Sequence, residues 1–520
     1  MSRPDPKDAA PLHALLRHAT SLESRGDWSA AVAAWTEIVR RFPAHPLAPL
    51  GLAQAQIRSG RPDAALPALE RARALAPGQP AAWLATAVAQ SMIGRHDDAV
   101  ASARRAVALA PSVAAVHLGL GDVLRQSGDL EAASDAYRHA VALAPDDADA
   151  NSKAAVAERL VRRLDEAEAL LRRALARVPD HPYACVNLAT LLLERGRIEE
   201  GSALLESASK IATLPPDARS EIADARTMLA ERASLSGPLS AALERDDPAP
   251  LAAGLHALRR SGSPDAPLIR DMARLAARAA VLDPVDASFA AGTPRSTAWP
   301  AIEAHHNVLA SRDDDAISRS VALVGHPDRA FGDADLDVLH YARAVERSSA
   351  RPPDDRDPEA LEAWLRLRHA QLAIHRPSLG PGQAKLINNV VGTAAHVPRT
   401  APGQLAATLR ALVADIAPGV PVGVLRAAFL YTALLEMHPF SDANGRVARL
   451  ALNRWLEAAG RFPYLRQSES DARLLAQARA TGDLRPVLAF IGAGSRYAAA
   501  LDGTWTSREA RSRSGGSPSP

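Results

Sequence analysis

Small and apolar positions recur along the first two fifths of the chain with a fixed beat. Pro43, Pro77, Pro111, Pro145 and Pro179 follow one another at intervals of 34 residues. Gly26, Gly60, Gly94, Gly128 and Gly196 keep the same period, with Arg162 in the one slot that lacks glycine, and five residues later come Ala31, Ala65, Ala99, Ala133, Ala167 and Gly201. The beat predicts a two-helix unit. Glycine marks the turn, the small residue lets the helices approach, and proline closes the second helix because it cannot continue the hydrogen-bond ladder. After Pro215 and Pro216 the beat stops, although apolar residues keep helical spacing over 217–234 and 250–283. Pro, Gly and Asp clusters at 246–249, 261–266 and 292–294 interrupt that stretch, which reads as a capping helix and a helical connector.

A second pattern lies further on. Val424 to Met437 (VLRAAFLYTALLEM) has only Arg426 and Glu436 as charges, the signature of a helix buried on most sides. His438 ends it. A run of turn formers follows, Pro439 to Arg446 (PFSDANGR), and then a helix from about Arg446 to Ala459, closed by Gly460. A polar loop feeding a helix amino terminus is a ready anion site, since the first N–H groups lack partners and the dipole end is positive. At 100° per residue, Arg446, Arg449 and Asn453 fall within about 60° of one another, a spacing suited to gripping a polyphosphate. Asp442 offers one carboxylate, and Mg²⁺ typically takes one or two and fills its shell with phosphate and water.

Composition narrows the fold to all-α. In 520 residues the hydrophobic share is 47% with only 4% aromatic, an alanine- and leucine-rich balance that favours helix, and the length calls for more than one domain. Net charge is +2 from 61 basic and 59 acidic residues, so no global field draws nucleic acid or an anionic membrane. The single cysteine, Cys185, forms no internal disulfide and reads as a small buried hydrophobe. No signal-type segment opens the chain and no run of about 18 apolar residues occurs, which leads to the expectation of a cytoplasmic protein.

With Trp83 four residues into its unit, the repeat columns resemble the tetratricopeptide (TPR) family over residues 10–213, six units in all. That resemblance implies a helical solenoid whose concave side binds protein partners, the alternative being a spacer or a dimerisation arm giving a homodimer. His438 to Arg449 (HPFSDANGRVAR) resembles the signature of Fic enzymes, His-Pro-Phe-x-(Asp/Glu)-(Gly/Ala)-Asn-Gly-Arg-x-x-Arg, and the likeness extends over 299–495. The resulting division is a flexible tail at 1–9, repeats at 10–213, cap and connector at 214–298, a Fic domain at 299–495 and a mostly disordered tail at 496–520. Upstream of the motif, 382–398 resembles the family's small β-hairpin flap, with Leu386, Ile387 and Asn388 set to hold a target segment by strand addition.

The resemblance implies a protein adenylyltransferase that moves AMP from ATP to a Ser, Thr or Tyr hydroxyl with Mg²⁺. His438 would be the general base and Asp442 the metal ligand. Asn444, Gly445 and Arg446 would stabilise phosphate charge, Arg449 would hold the γ-phosphate, and Asn453 completes the expected nucleotide set. Phe440 is expected to pack and fix the loop. Many Fic proteins carry an inhibitory glutamate, and the chain has Trp299-Pro300-Ala301-Ile302-Glu303-Ala304 in the corresponding place. Glu303 is therefore the candidate for a brake that pairs with Arg449, although Trp299 and Ala304 depart from the family pattern; the alternative is a surface acid in the first turn of a helix, where acids are favoured. His305 and His306 lack metal-ligand companions and read as structural or exposed. The alternatives are de-AMPylation or another Fic-type phosphotransfer, and a TPR scaffold whose Fic domain does not turn over.

Overall fold

The protein is described by a computed structural model that covers residues 6–258, 260, 262–282, 289–348, 352–377, 380–385, 400–466 and 471–513. It divides into two compact units, Met1–Leu191 and Leu192–Pro520. The repeat region is a string of paired helices: α1 Pro6–Ser24, α2 Trp28–Arg41, α3 Ala48–Arg58, α4 Pro62–Leu75, α5 Pro80–Met92, α6 His96–Leu109, α7 Ala114–Ser127, α8 Leu130–Leu143, α9 Ala148–Leu160, α10 Leu164–Arg177, α11 Pro182–Glu194 and α12 Ile198–Ala208. The remainder runs α13 Pro216–Arg245, α14 Ala249–Ala257, α15 Ala266–Ala279, α16 Trp299–Leu309, α17 Asp314–Gly325, α18 Asp333–Ser348, α19 Pro358–Leu372, α20 Leu405–Arg410, α21 Val424–Met437, α22 Asn444–Ala458, α23 Asp471–Thr481 and α24 Arg485–Arg513. Among the described residues no helix is long and apolar enough to cross a membrane.

The period seen in the sequence is a period of backbone conformation. Gly26, Gly60, Gly94, Gly128 and Gly196 all stand at positive φ between the two helices of a pair, and Arg162 adopts φ 68° in the same slot. Glycine enters this left-handed region freely, whereas a residue with a Cβ is strained there by about 1–2 kcal/mol. Five residues on, Ala31, Ala65, Ala99, Ala133 and Ala167 are completely buried, which is where the helices touch. Cys185 is buried in α11, its thiol pushed up by that burial.

The second unit is built around α21 and α22, which pack on each other, with α19, α16 and α18 against α22. Every one of the 14 residues of α21 is buried. A core of Leu235, Leu239, Leu251, Leu255, Ala363 and Leu367 joins α13, α14 and α19. Beside it sits a closed set of charges: Arg260 Nη2 lies 2.7 Å from Glu362, Arg366 Nη2 lies 2.7 Å from the same carboxylate, and Glu231 pairs with both arginines.

Helix α16 is held onto α22 by polar contacts without solvent. The Glu303 carboxylate, with no exposed surface, accepts from Trp299 Nε1 at 3.0 Å, from Asn453 Nδ2 at 2.8 Å and from Arg454 Nη2 at 2.8 Å. Arg454 reaches on to Glu457 at 3.2 Å, whose carboxyl burial pushes up to about 7. His305 and His306 are also buried, with His305 Nδ1 2.8 Å from Ser320 Oγ and His306 Nδ1 donating to Ile302 at 3.0 Å.

Two expectations about the ends of the chain change, and the expected flap falls on residues that are not described. Among the described residues there is no strand, only the isolated bridge between Ala291 and Arg461. The hairpin flap expected at Leu386, Ile387 and Asn388 falls outside the described residues. The stretch from 496 expected to be a disordered tail is helical to Arg513, as the last part of α24. Its acids anchor it: Asp502 accepts from the N–H groups of Arg295 and Ser296, and Glu509 from the hydroxyls of Ser296 and Thr297. At the other end α1 already begins at Pro6, inside the stretch expected to be flexible.

Two outcomes follow from these contacts. Arg162→Gly relieves the strained turn and is expected to stabilise the repeats by ~1 kcal/mol, read as a higher urea midpoint; an unchanged or lower midpoint contradicts it. Glu303→Ala takes from the buried Arg454 the nearer of its two carboxylates and strips Trp299 and Asn453 of their acceptor, and is expected to cost about 3–5 kcal/mol. A melting temperature equal to wild type would show that this clamp does not hold α16.

Candidate functional site

The site is made where α21 hands over to α22. Met437 is the last residue of α21, and His438 follows in the left-handed conformation (φ 46°, ψ 71°), its N–H donating to Leu434 at 3.1 Å. That turn points the His438 ring back along the helix, where Nδ1 meets the Leu435 carbonyl. A carbonyl only accepts, so Nδ1 carries a proton in this contact. The residue is buried, with 8% of its surface exposed.

The loop beyond is fixed by one amide. The Phe440 N–H donates to Asn444 Oδ1 at 2.9 Å, and Asn444 Nδ2 donates back to the Phe440 carbonyl at 2.8 Å. Phe440 is buried as expected and stacks on His369, ring centroids 4.1 Å apart and planes 3° from parallel. His369 Nδ1 accepts from the Gly382 N–H at 2.9 Å, and burial pulls its pKa down to about 3, so the ring under Phe440 is neutral. Ala443 is left-handed (φ 57°) and opens α22, whose first intrahelical bond, Val447 N to Ala443 O at 3.0 Å, lies beyond the N–H groups of Asn444, Gly445 and Arg446.

Lys385 is a participant to which the sequence pattern assigns no role. Its N–H donates to Pro439 at 2.9 Å and its ammonium faces the Met437 carbonyl at 3.4 Å, so it ties the chain on both sides of His438. It has no exposed surface, and burial pulls its pKa down to about 7. A lone lysine at that position carries no signal of burial in the sequence.

The expected phosphate ligands take different places. Arg446 forms an ion pair with Asp337 of α18 and lies 3.7 Å from Asp442. Asp442 is about half exposed, with Oδ1 accepting from Ala443 N at 2.6 Å and Oδ2 3.3 Å from Arg376 Nη1. Arg376 also reaches Asp337, at 2.8 Å. Arg449 is buried one turn further on, donating to the Asn307 carbonyl at 2.9 Å, and a Cβ on Gly445 would stand 3.1 Å from its Nη1. His438, Asp442, Asn444, Gly445 and Arg446 thus share one loop, with Arg449 behind it.

Three residues need correction. Asn453 has no exposed surface, and its amide is used up: Oδ1 accepts from Tyr464 N at 2.8 Å, while Nδ2 donates to Tyr464 O and to Glu303. It fastens the turn after α22 and is no phosphate ligand. Glu303 does not pair with Arg449; its partners are Trp299, Asn453 and Arg454. Trp299, which departs from the family's hydroxyl, supplies one of those donors. Asn444 likewise spends its amide on the loop backbone, so it shapes the site instead of facing it.

For a divalent cation, the fit rests on Asp442, a single half-exposed carboxylate beside the α22 amino terminus. One such carboxylate flanked by arginines suits Mg²⁺ that arrives on phosphate oxygens and brings most of its own ligands.

Residues 359–456 match the family model described as Fic/DOC family. Residues 16–80, 50–114, 93–148 and 118–183 match one tetratricopeptide repeat model and 161–231 another. No curated protein matches the chain. Among solved structures, a thermophilic TPR protein of Thermus thermophilus is 29% identical over 34% of this chain and 97% of its own, with a TM-score of 0.31. MamA of Desulfovibrio magneticus is 18% identical over 32% and 94%, with a TM-score of 0.29. YrrB, described as a TPR protein with an unusual peptide-binding site, is 18% identical over 34% and 92%, with a TM-score of 0.28. The chain therefore joins tetratricopeptide repeats to a domain of the Fic/DOC family.

Proposed function

We propose that the protein is a Fic-type protein adenylyltransferase, moving AMP from ATP to a Ser, Thr or Tyr hydroxyl of a protein target. The observation that carries this reading is the contact of His438 Nδ1 with the Leu435 carbonyl at the head of the motif loop. With Nδ1–H committed to Leu435, Nε2 is the atom that takes a proton from an attacking hydroxyl. The oxygen then bonds to the α-phosphorus, the bond to the bridging oxygen breaks, and pyrophosphate leaves.

The N–H groups at the start of α22, with Arg446 and Arg449 behind them, supply fixed donors for phosphate charge that grows in the transition state. Mg²⁺, when held by Asp442, would neutralise phosphate oxygens and favour the leaving pyrophosphate. Burial of His438 at the end of a helix that is itself buried throughout limits the water that could compete with the protein hydroxyl.

The repeats give the reading its substrate class. Tetratricopeptide repeats support protein–protein interaction, and a target held on them meets the site at raised effective concentration. A bound partner, not the loop, then selects what is modified.

Incubation with labelled ATP and Mg²⁺ is expected to label the protein itself or a partner, and His438→Ala is expected to lower the rate by at least ~10²-fold. Equal labelling by both proteins removes His438 from the chemistry, and labelling from UTP or CTP but not from ATP changes the transferred group. Crosslinking mass spectrometry on the full chain is expected to find labelled targets joined to residues 10–191. Labelled targets that never crosslink there leave the repeats without a part in recruitment.

A further inference from the structure

Four charged side chains at the mouth of the loop form a ring of alternating sign. Asp337 pairs with Arg446, Arg446 lies 3.7 Å from Asp442, Asp442 lies 3.3 Å from Arg376, and Arg376 returns to Asp337 at 2.8 Å. Asp337 and Arg446 are largely buried, with side chains 10% and 13% exposed, whereas Asp442 is 45% exposed and Arg376 25%. Asp337 stands on α18 and Arg376 lies just beyond α19. His375 Nε2 lies 3.2 Å from Asp337, and Asp333 lies 3.9 Å from Arg376. Neither residue of the Asp337–Arg376 pair belongs to the 438–449 motif.

We infer that Asp337 and Arg376 make this site selective for a metal-complexed polyphosphate over the bare anion. The inference rests on the reading above, in which the loop binds polyphosphate. A bare polyphosphate that takes Arg446 must displace Asp337, and it brings negative charge toward two carboxylates at once. A divalent cation changes both terms. Placed at Asp442, it takes over the carboxylate that Arg376 held, and Arg376 remains on Asp337. Asp337 then has Arg376 to itself when Arg446 turns to phosphate, whereas without the cation that one arginine must serve both carboxylates. Cation and polyphosphate therefore enter as coupled events, and Arg376 is the residue that couples them. Arg449 stands outside the ring, with its bond to Asn307, and does not distinguish the two forms of the ligand.

The probe is inorganic triphosphate, titrated calorimetrically into the full chain with and without Mg²⁺. Wild type is expected to bind weakly without the cation and much more tightly with it. In Asp337→Asn the metal-free affinity is expected to rise on the order of tenfold while the metal-loaded affinity changes less, so the ratio of the two shrinks. Arg376→Gln, at a more exposed position, is expected to shrink the ratio from the other side by weakening the metal-loaded form, and it serves if Asp337→Asn melts early. A ratio unchanged in both variants, or metal-free binding weakened by Asp337→Asn, overturns the inference and leaves the polyphosphate site intact. Failure of triphosphate to bind wild type even with Mg²⁺ overturns the polyphosphate reading itself, and this inference with it.

Discussion

A helix buried along all 14 of its residues can meet a polar loop only if its end is sharply defined, and the site of this protein depends on how α21 ends. A left-handed histidine is strained by about 1–2 kcal/mol, so its surroundings must impose the conformation. Here they do so from several directions: the His438 N–H on Leu434, the ring on Leu435, and Lys385 on the carbonyls of Met437 and Pro439. The same constraint places a proton on Nδ1. Without the turn, the ring would not reach Leu435.

From that fixed point the rest is arranged by main-chain contacts. Asn444 closes the loop on Phe440, Phe440 rests on a neutral His369, and α22 starts with donors that precede its first intrahelical bond. At the rim two arginines and two aspartates balance one another. The four-membered ring is thus neutral by its own side chains. Deep anchoring of α16 through Glu303 and Arg454 keeps the back of α22 rigid while the rim retains partners that can be exchanged.

Much of this was legible in the sequence, and the remainder was illegible for a physical reason. The 34-residue beat carried the repeats because each column has a backbone or packing demand of its own, and even Arg162 obeys the column's φ. The 438–449 string carried the loop because its residues are neighbours along the chain. Spacing on a helix did not carry Asn453, since angular proximity to Arg446 says nothing about which face is buried, and Tyr464 and Glu303 claim its amide. Glu303 was found as a notable acid and given the wrong partner; Arg454, five residues beyond Arg449, lies where α16 actually docks. Asp337 and Arg376 left no signal at all. An aspartate in the first turns of α18 reads as an ordinary helix-start acid, and only the packing of α18 and α19 around α22 brings it to Arg446.

Everything proposed for the site turns on polyphosphate sitting at the start of α22 within reach of His438. A crystal structure of the full chain with Mg²⁺ and a non-hydrolysable ATP analogue tests this most directly. Expected are phosphate oxygens on the N–H groups of residues 444–446, Arg446 turned from Asp337 to phosphate, the cation on Asp442, and His438 Nε2 facing the α-phosphorus with room for one hydroxyl between. A nucleotide bound elsewhere, or bound there with Arg446 still on Asp337 and His438 turned away, would contradict it.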